Sequence, residues 1–359
     1  MENEEKISAV TPAIRGRGAA ENPVNRFEAL EMLKEEGEEP EGPLGTQYFK
    51  DHSRSAITYN DSPDVGFEAS LNPYRGCEHG CIYCYARPTH EYLGFSAGLD
   101  FETKIMVKED APALLRKEFL SKKWRPQALV LSGVTDSYQP IEKRLQLTRR
   151  CLEVCVEFRN PVAIITKNHL VTRDIDLLSE LARHEAAAVF ISVTSLDADL
   201  ARKLEPRTST PEHRLDAVRK LSRAGIPTGV MVAPVIPAIN DVEIPAILKA
   251  AAQAGAGSAG WVMVRLPYGV KNLFEEWLAR HFPDRKEKVL HRIQSIRGGK
   301  LNDPTFGRRM RGEGVFAEQI ARLFELGLKK AGLARKQFSL STASFRRPLQ
   351  PDDQLELFS

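Results

Sequence analysis

Residues 69–88 read ASLNPYRGCEHGCIYCYARP, a short apolar run that passes directly into three cysteines, Cys77, Cys81 and Cys84, spaced C-x3-C-x2-C. The run at 69–76 has the character of a strand buried on both faces. The cysteines therefore fall on the loop leaving its C-terminal end. Thiolates are the usual ligands of iron–sulfur clusters. Three of them leave the fourth iron of a 4Fe–4S cluster without a protein ligand, able to take the amine and carboxylate of a substrate or cofactor. The spacing leaves one alternative open, a zinc site completed by His79 or His90. Against it, zinc ribbons pair two short cysteine hairpins, and the second is missing here.

Moving outward, five more apolar runs follow at 127–134, 161–167, 187–195, 227–236 and 258–266, and read as buried parallel strands. Amphipathic stretches separate them, such as Pro211 through Ala224 closed by Gly225, and Val242 through Ala254 closed by Gly255. The fold class is α/β. A complete eight-stranded barrel usually needs about 250 residues, and six βα units fit in fewer, so the expectation is an open, partial (βα)6 TIM-like barrel. Sites on such folds lie at the C-terminal ends of the strands. The core domain is placed at 65–300, a basic helical extension at 301–340 with a helix from Val315 to Lys330, and a flexible tail at 341–359.

Before the core, residues 1–48 hold eleven Glu against five Lys or Arg and read as a mostly disordered acidic extension, with a short helix across Arg26–Glu36. Residues 285–350 reverse the balance, with sixteen Lys or Arg against five Asp or Glu. That excess suits contact with nucleic acid, and Arg297, Lys300, Arg308, Arg309 and Arg311 are the candidate contacts. The starting stretch MENEEKISAV is acidic and lacks the apolar segment of a signal peptide, and no apolar run reaches the length of a membrane span. A cytoplasmic protein without membrane contact is expected. Five cysteines in such a chain point to metal or redox chemistry over disulfides. Cys151 and Cys155, four apart on a predicted helix, read as small buried apolar residues.

Around its cysteines the sequence resembles the radical S-adenosylmethionine (radical SAM) superfamily, and in the stretches 72–94 and SGVTDSYQPIEKR (132–144) it resembles the bacterial branch related to spore photoproduct lyase, often labelled DNA repair photolyase-like. The likeness covers roughly 65–300. It implies an enzyme that reductively cleaves S-adenosylmethionine at a 4Fe–4S cluster to give a 5′-deoxyadenosyl radical, with a low-potential electron donor such as flavodoxin or ferredoxin as partner. It implies that Cys77, Cys81 and Cys84 hold three irons and that the backbone of Tyr83 lies against the adenine. Ser132, Gly133, Thr135 and Asp136 would meet the methionine amino group, and Lys167 and Ser192 the carboxylate or ribose. Glu205 and Arg214 are weaker candidates, equally explained by a surface ion pair.

Spore photoproduct lyases carry a hydrogen-donating cysteine near the end of the second strand. Here that stretch reads LSGVTDSYQ, without cysteine. Tyr85 and Tyr138 are the candidates to replace it, or the reaction differs, and photoproduct lyase activity itself is not expected. The expected substrate is a nucleic acid or nucleotide. The alternatives are modification of RNA or a protein, and a non-catalytic zinc-stabilised nucleic-acid-binding module. Gln354–Phe358 (QLELF) resembles the peptide with which bacterial repair and replication proteins bind the β sliding clamp.

Overall fold

The computed structural model describes residues 11–27, 45–335 and 339–348. Its centre is an eight-stranded sheet in which six strands run parallel in chain order: Ala69–Leu71, Leu129–Leu131, Val162–Thr166, Ala187–Ser192, Thr228–Val235 and Ser258–Met263. These are the six runs read from the sequence. Their apolar character has a direct cause, since all six residues of Ala187–Ser192 are buried, as a strand covered on both faces requires. The short strand Ala334–Arg335 extends the sheet in parallel at one edge, and Ile57–Tyr59 closes the other antiparallel to Ala69–Leu71.

Helices between the strands cover the outer face. Pro211–Arg223 starts where the Thr210 side chain accepts a hydrogen bond from the His213 N–H, and Pro211 occupies the first turn, where its missing N–H costs nothing. Gly225 and Gly255 follow two helices in the left-handed region, at φ +76° and +98°, ending them where the sequence indicated. Val315–Ala331 packs after the sixth strand. A small second sheet joins Gln47–Lys50, Lys104–Val107 and Tyr74–Arg75 beside the cysteine loop; its strands, two to four residues long, are too short to stand out in the sequence.

Both terminal regions differ from expectation where they are described. Residues 11–27 are not loose. They run across the segment that follows the cysteines: Leu99 N–H donates to Glu21 O at 3.1 Å, Ser96 Oγ to Pro23 O at 2.6 Å, and Asn25 Nδ2 to Glu91 O and Phe95 O at 3.0 Å. Low apolar content misled the sequence reading, because this strap is held by polar groups. The part of the tail at 341–348 is likewise fastened: Phe345 packs on Phe119 and Phe158, and Arg347 donates to the carbonyls of Phe119, Ser121 and Trp124. Gln354–Phe358 and most of the predicted helix at 26–36 lie outside the described residues. Among the described residues no helix is long and apolar enough to cross a membrane.

Candidate active site

The first strand ends at Leu71, and Gly76 and Gly80 turn the chain through the cysteine loop at φ +78° and +66°. The Cys77 N–H donates to Phe101 O at 2.8 Å and the Cys84 N–H to Cys81 O at 3.2 Å. Fully buried Arg87 fastens the loop from below. Its Nε donates to Cys81 O at 3.0 Å, its Nη1 to Ala97 O and Gly98 O, and its Nη2 pairs with Glu102. The Glu102 carboxylate also accepts from the N–H groups of Gly18 (3.0 Å) and Ala19 (2.9 Å). One buried carboxylate thus ties the strap to the cysteine loop. The approach is close enough that a Cβ on Gly18 would fall 1.8 Å from the Gly80 carbonyl oxygen. Sequence reasoning missed Gly18, Arg87 and Glu102; the strap meets Glu102 from more than 80 residues away, and nothing in the local pattern marks Arg87 as buried.

All five cysteines are free thiols. Burial raises the Cys81 and Cys84 thiols above the ordinary range, which a bound metal reverses by ligating the thiolate. His79 lies against the Cys77 sulfur as well as Asp136, with Nδ1 3.4 Å from Asp136 and Nε2 3.2 Å from Asn168 Nδ2. His90 is buried between the rings of Phe95 and Phe101, and burial pulls it down to about 4. Three soft thiols on one loop fit the iron–sulfur reading.

The ends of the second and third strands hold the loop from the side. Asp136 accepts from Thr166 Oγ1 (2.7 Å), the Lys167 N–H (2.8 Å) and the Tyr138 N–H (2.9 Å), and faces His79. Burial alone would raise its pKa; the His79 charge and these hydrogen bonds outweigh burial and leave it at about 2. Burial would lower His79, but Asp136 and the Cys77 sulfur carry it up to about 10. Thr135 Oγ1 donates to Gly76 O at 2.7 Å, and Ser132 Oγ lies 2.7 Å from Ile165 O and 3.0 Å from Thr135 O. The side chains of Ser132, Thr135 and Asp136 are thus engaged in shaping the site. Ser132 does so at φ +143°, an uncommon conformation for a residue with a Cβ.

Glu205 and Arg214 are no surface pair. Both are about 1% exposed. Glu205 accepts from the hydroxyls of Tyr83 and Thr194 and pairs with Arg214, which also donates to Ser192 O (3.0 Å) and Ser209 O (2.8 Å). Burial would raise Glu205, yet Arg214 and then Lys167 hold it below the usual carboxylate range. The network fixes the Tyr83 side chain within the cysteine loop.

Against this background of engaged groups, three remain open. The Tyr83 N–H and C=O make no backbone hydrogen bond among the described residues. The Lys167 ammonium, 6.0 Å from the Tyr83 ring centre, makes no ion pair or hydrogen bond there, and neither does the Ser192 hydroxyl. At Gly133 a Cβ would meet only Asn72, at 3.8 Å.

The two tyrosine candidates separate. Tyr85 is 47% exposed, donates its hydroxyl to the Gly133 carbonyl and carries Arg265 over its ring at 4.3 Å. Tyr138 is fully buried and its hydroxyl donates to Asp174 at 3.1 Å, itself held by Arg149 and Arg173. It packs into the main core and leaves the site to Tyr85. The basic stretch is also engaged internally. Arg297 is buried and donates to Val264 O and Arg308 O; Arg311 donates to Trp261 O; Arg308 pairs with Asp303 and Glu313; Arg309 pairs with Asp64. Of the five candidate contacts, only exposed Lys300 lacks such a partner among the described residues.

A family model, the radical SAM superfamily, matches residues 71–251. The chain is 36% identical over 247 residues to an uncharacterized protein of Mycobacterium tuberculosis, covering 68% of this chain and 72% of that one. It is 27% identical over 184 residues to the spore photoproduct lyase of Bacillus subtilis, covering 49% and 48%. In structure it is similar to a spore photoproduct lyase mutant with bound AdoMet and dinucleoside spore photoproduct, at TM-score 0.57 and 18% identity, covering 81% of this chain and 82% of that one. Sequence motif, barrel order and family model agree: the chain belongs to the radical SAM superfamily and is an enzyme of that class.

Proposed function

We propose that Cys77, Cys81 and Cys84 bind three irons of a 4Fe–4S cluster, that S-adenosylmethionine docks beside it, and that the enzyme acts on a nucleic acid or nucleotide. The observation carrying this reading is the contrast at the barrel mouth. Nearly every polar side chain near the three thiols is engaged within the protein, while the Lys167 ammonium, the Ser192 hydroxyl and the Tyr83 backbone are open.

Bound there, the cluster and cofactor supply one-electron cleavage of the C5′–S bond, giving methionine and a 5′-deoxyadenosyl radical, with the electron drawn from a low-potential donor such as flavodoxin or ferredoxin. The residues of this chain do the positioning. Lys167 pairs with the carboxylate of the methionine part, and Ser192 donates to a carboxylate or ribose oxygen. The Tyr83 N–H and C=O meet the adenine edge, and Glu205 keeps the Tyr83 ring in place. Half-exposed Tyr85 stands at the rim, where a substrate would enter, and is the candidate hydrogen donor. The lyase neighbour holding a dinucleoside photoproduct supports the substrate class. Sliding-clamp binding through Gln354–Phe358 remains a reading of the sequence.

Anaerobic reconstitution tests the proposal. About four irons and four sulfides per chain are expected, followed on reduction with S-adenosylmethionine by methionine and 5′-deoxyadenosine. One bound zinc and no iron would refute it.

A further inference from the structure

The cations around the mouth fall into two kinds. Arg87, Arg214, Arg297, Arg309 and Arg311 donate to carboxylates or carbonyls of the protein. Arg265 does not. It follows the sixth strand at the C-terminal rim, between buried Val264 and Leu266, and its backbone is held in place because Arg297 donates to the Val264 carbonyl at 2.7 Å. Its guanidinium lies 4.3 Å from the centre of the Tyr85 ring and makes no hydrogen bond or ion pair among the described residues. Asp64, a carboxylate that acts on its charge, is taken by Arg309 at 2.5 Å and by the Gly307 N–H at 2.7 Å. An aromatic face attracts a cation but offers none of the in-plane acceptors that five N–H groups require.

We propose that Arg265 is a phosphate-binding residue for the substrate, receiving a backbone phosphate of a nucleic-acid strand whose neighbouring nucleotide lies against Tyr85 beside Cys84. The inference rests on the nucleic-acid reading above and names the residue that carries it. A planar guanidinium is suited to two-point contact with phosphate. Partial burial already lowers the pKa of Arg265 and leaves its charge poorly solvated, so an incoming anion removes a cost already present in the protein. The rim also offers a surface for a base. Three residues on, Tyr268 is 61% exposed, with the Arg26 guanidinium 3.7 Å from its ring centre, and exposed rings of this kind stack nucleobases without sequence preference. The strand is thus met by Arg265 at the mouth, and the basic stretch after residue 297 serves mainly to hold the rim together.

Fluorescence anisotropy of the full, anaerobically reconstituted protein with a labelled single-stranded oligonucleotide of about ten residues, as DNA and as RNA, tests this. Arg265→Gln should weaken binding about tenfold and reduce the slope of log K against log salt by about 0.7, the value for one phosphate contact on a single strand. Arg265→Lys should keep the slope and lose part of the affinity. A strand with uncharged methylphosphonate linkages should bind wild type more weakly while distinguishing little between wild type and Arg265→Gln. Iron content equal to wild type checks that each variant is folded. Wild-type binding that is unchanged in Arg265→Gln overturns the assignment to Arg265 and leaves the nucleic-acid reading standing. No binding of either strand by wild type overturns both. Loss of S-adenosylmethionine binding in Arg265→Gln with intact oligonucleotide binding would instead assign the guanidinium to the methionine carboxylate.

Discussion

Two groups of cysteines lie in this protein, three on the loop after the first barrel strand and two on the helix Leu147–Phe158, and all but Cys84 are nearly inaccessible. Cys151 and Cys155 stand one turn apart and are fully buried among residues such as Leu115, Phe119, Leu152 and Phe158. Burial alone pushes the Cys155 thiol up, and with neighbouring acids it does the same to Cys151. Nothing near them favours a thiolate strongly enough to reverse that, so they fill space as small hydrophobes. The loop cysteines share the burial but not the surroundings. Lys167 and Arg87 set positive charge beside them, His79 and Asp136 brace the loop, and open polar groups face the mouth. Burial raises the Cys81 and Cys84 thiols as it does those of the helix, so the two groups differ in their neighbours.

The comparison can be broken most directly by exchanging the cysteines. Alanine at Cys77, Cys81 or Cys84 should abolish the cluster, while Cys151→Ala and Cys155→Ala should keep wild-type iron and sulfide content. Iron loss from the helix variants would show that the two groups are not separate. The next effect concerns the network behind the loop. Glu205→Ala leaves Arg214 buried without its partner, which costs about 3–5 kcal/mol, and a urea midpoint that hardly moves would mean that water reaches the pair. Lys167→Ala should weaken S-adenosylmethionine binding about tenfold, or about 1.4 kcal/mol, at unchanged iron content. Calorimetric titration of the reconstituted protein reads both values, and an unchanged affinity would remove Lys167 from the cofactor site. Smallest is the cost of Cys151→Ala, about 1 kcal/mol for one sulfur removed from a packed core, seen as a modest fall in the unfolding midpoint. A much larger fall would mean that the thiol does more than fill space.

Periodicity and spacing revealed the six strands because each is a run of mostly apolar, largely buried residues, and they revealed the loop cysteines because all three lie within eight residues. The strap escaped notice. Its stretch RGRGAAENP carries little apolar surface, and what holds it is a carboxylate 83 or 84 residues away. Glu205 and Arg214 looked like any surface pair nine residues apart, until the fold closed over them. The basic stretch misled in the opposite sense, since a count of arginines cannot tell a solvated cation from one that caps a carbonyl, as Arg297 and Arg311 do.

The class of fold, the cysteine triplet and the family are legible in the amino-acid order alone, because they depend on residue types at short spacings, where chain connectivity guarantees proximity. Which polar groups are engaged depends on the fold. Lys167 and Arg265 stand open at the mouth, Tyr85 reaches it and Tyr138 does not, because a hydrogen bond or ion pair depends on which distant residue folding brings within about 3 Å.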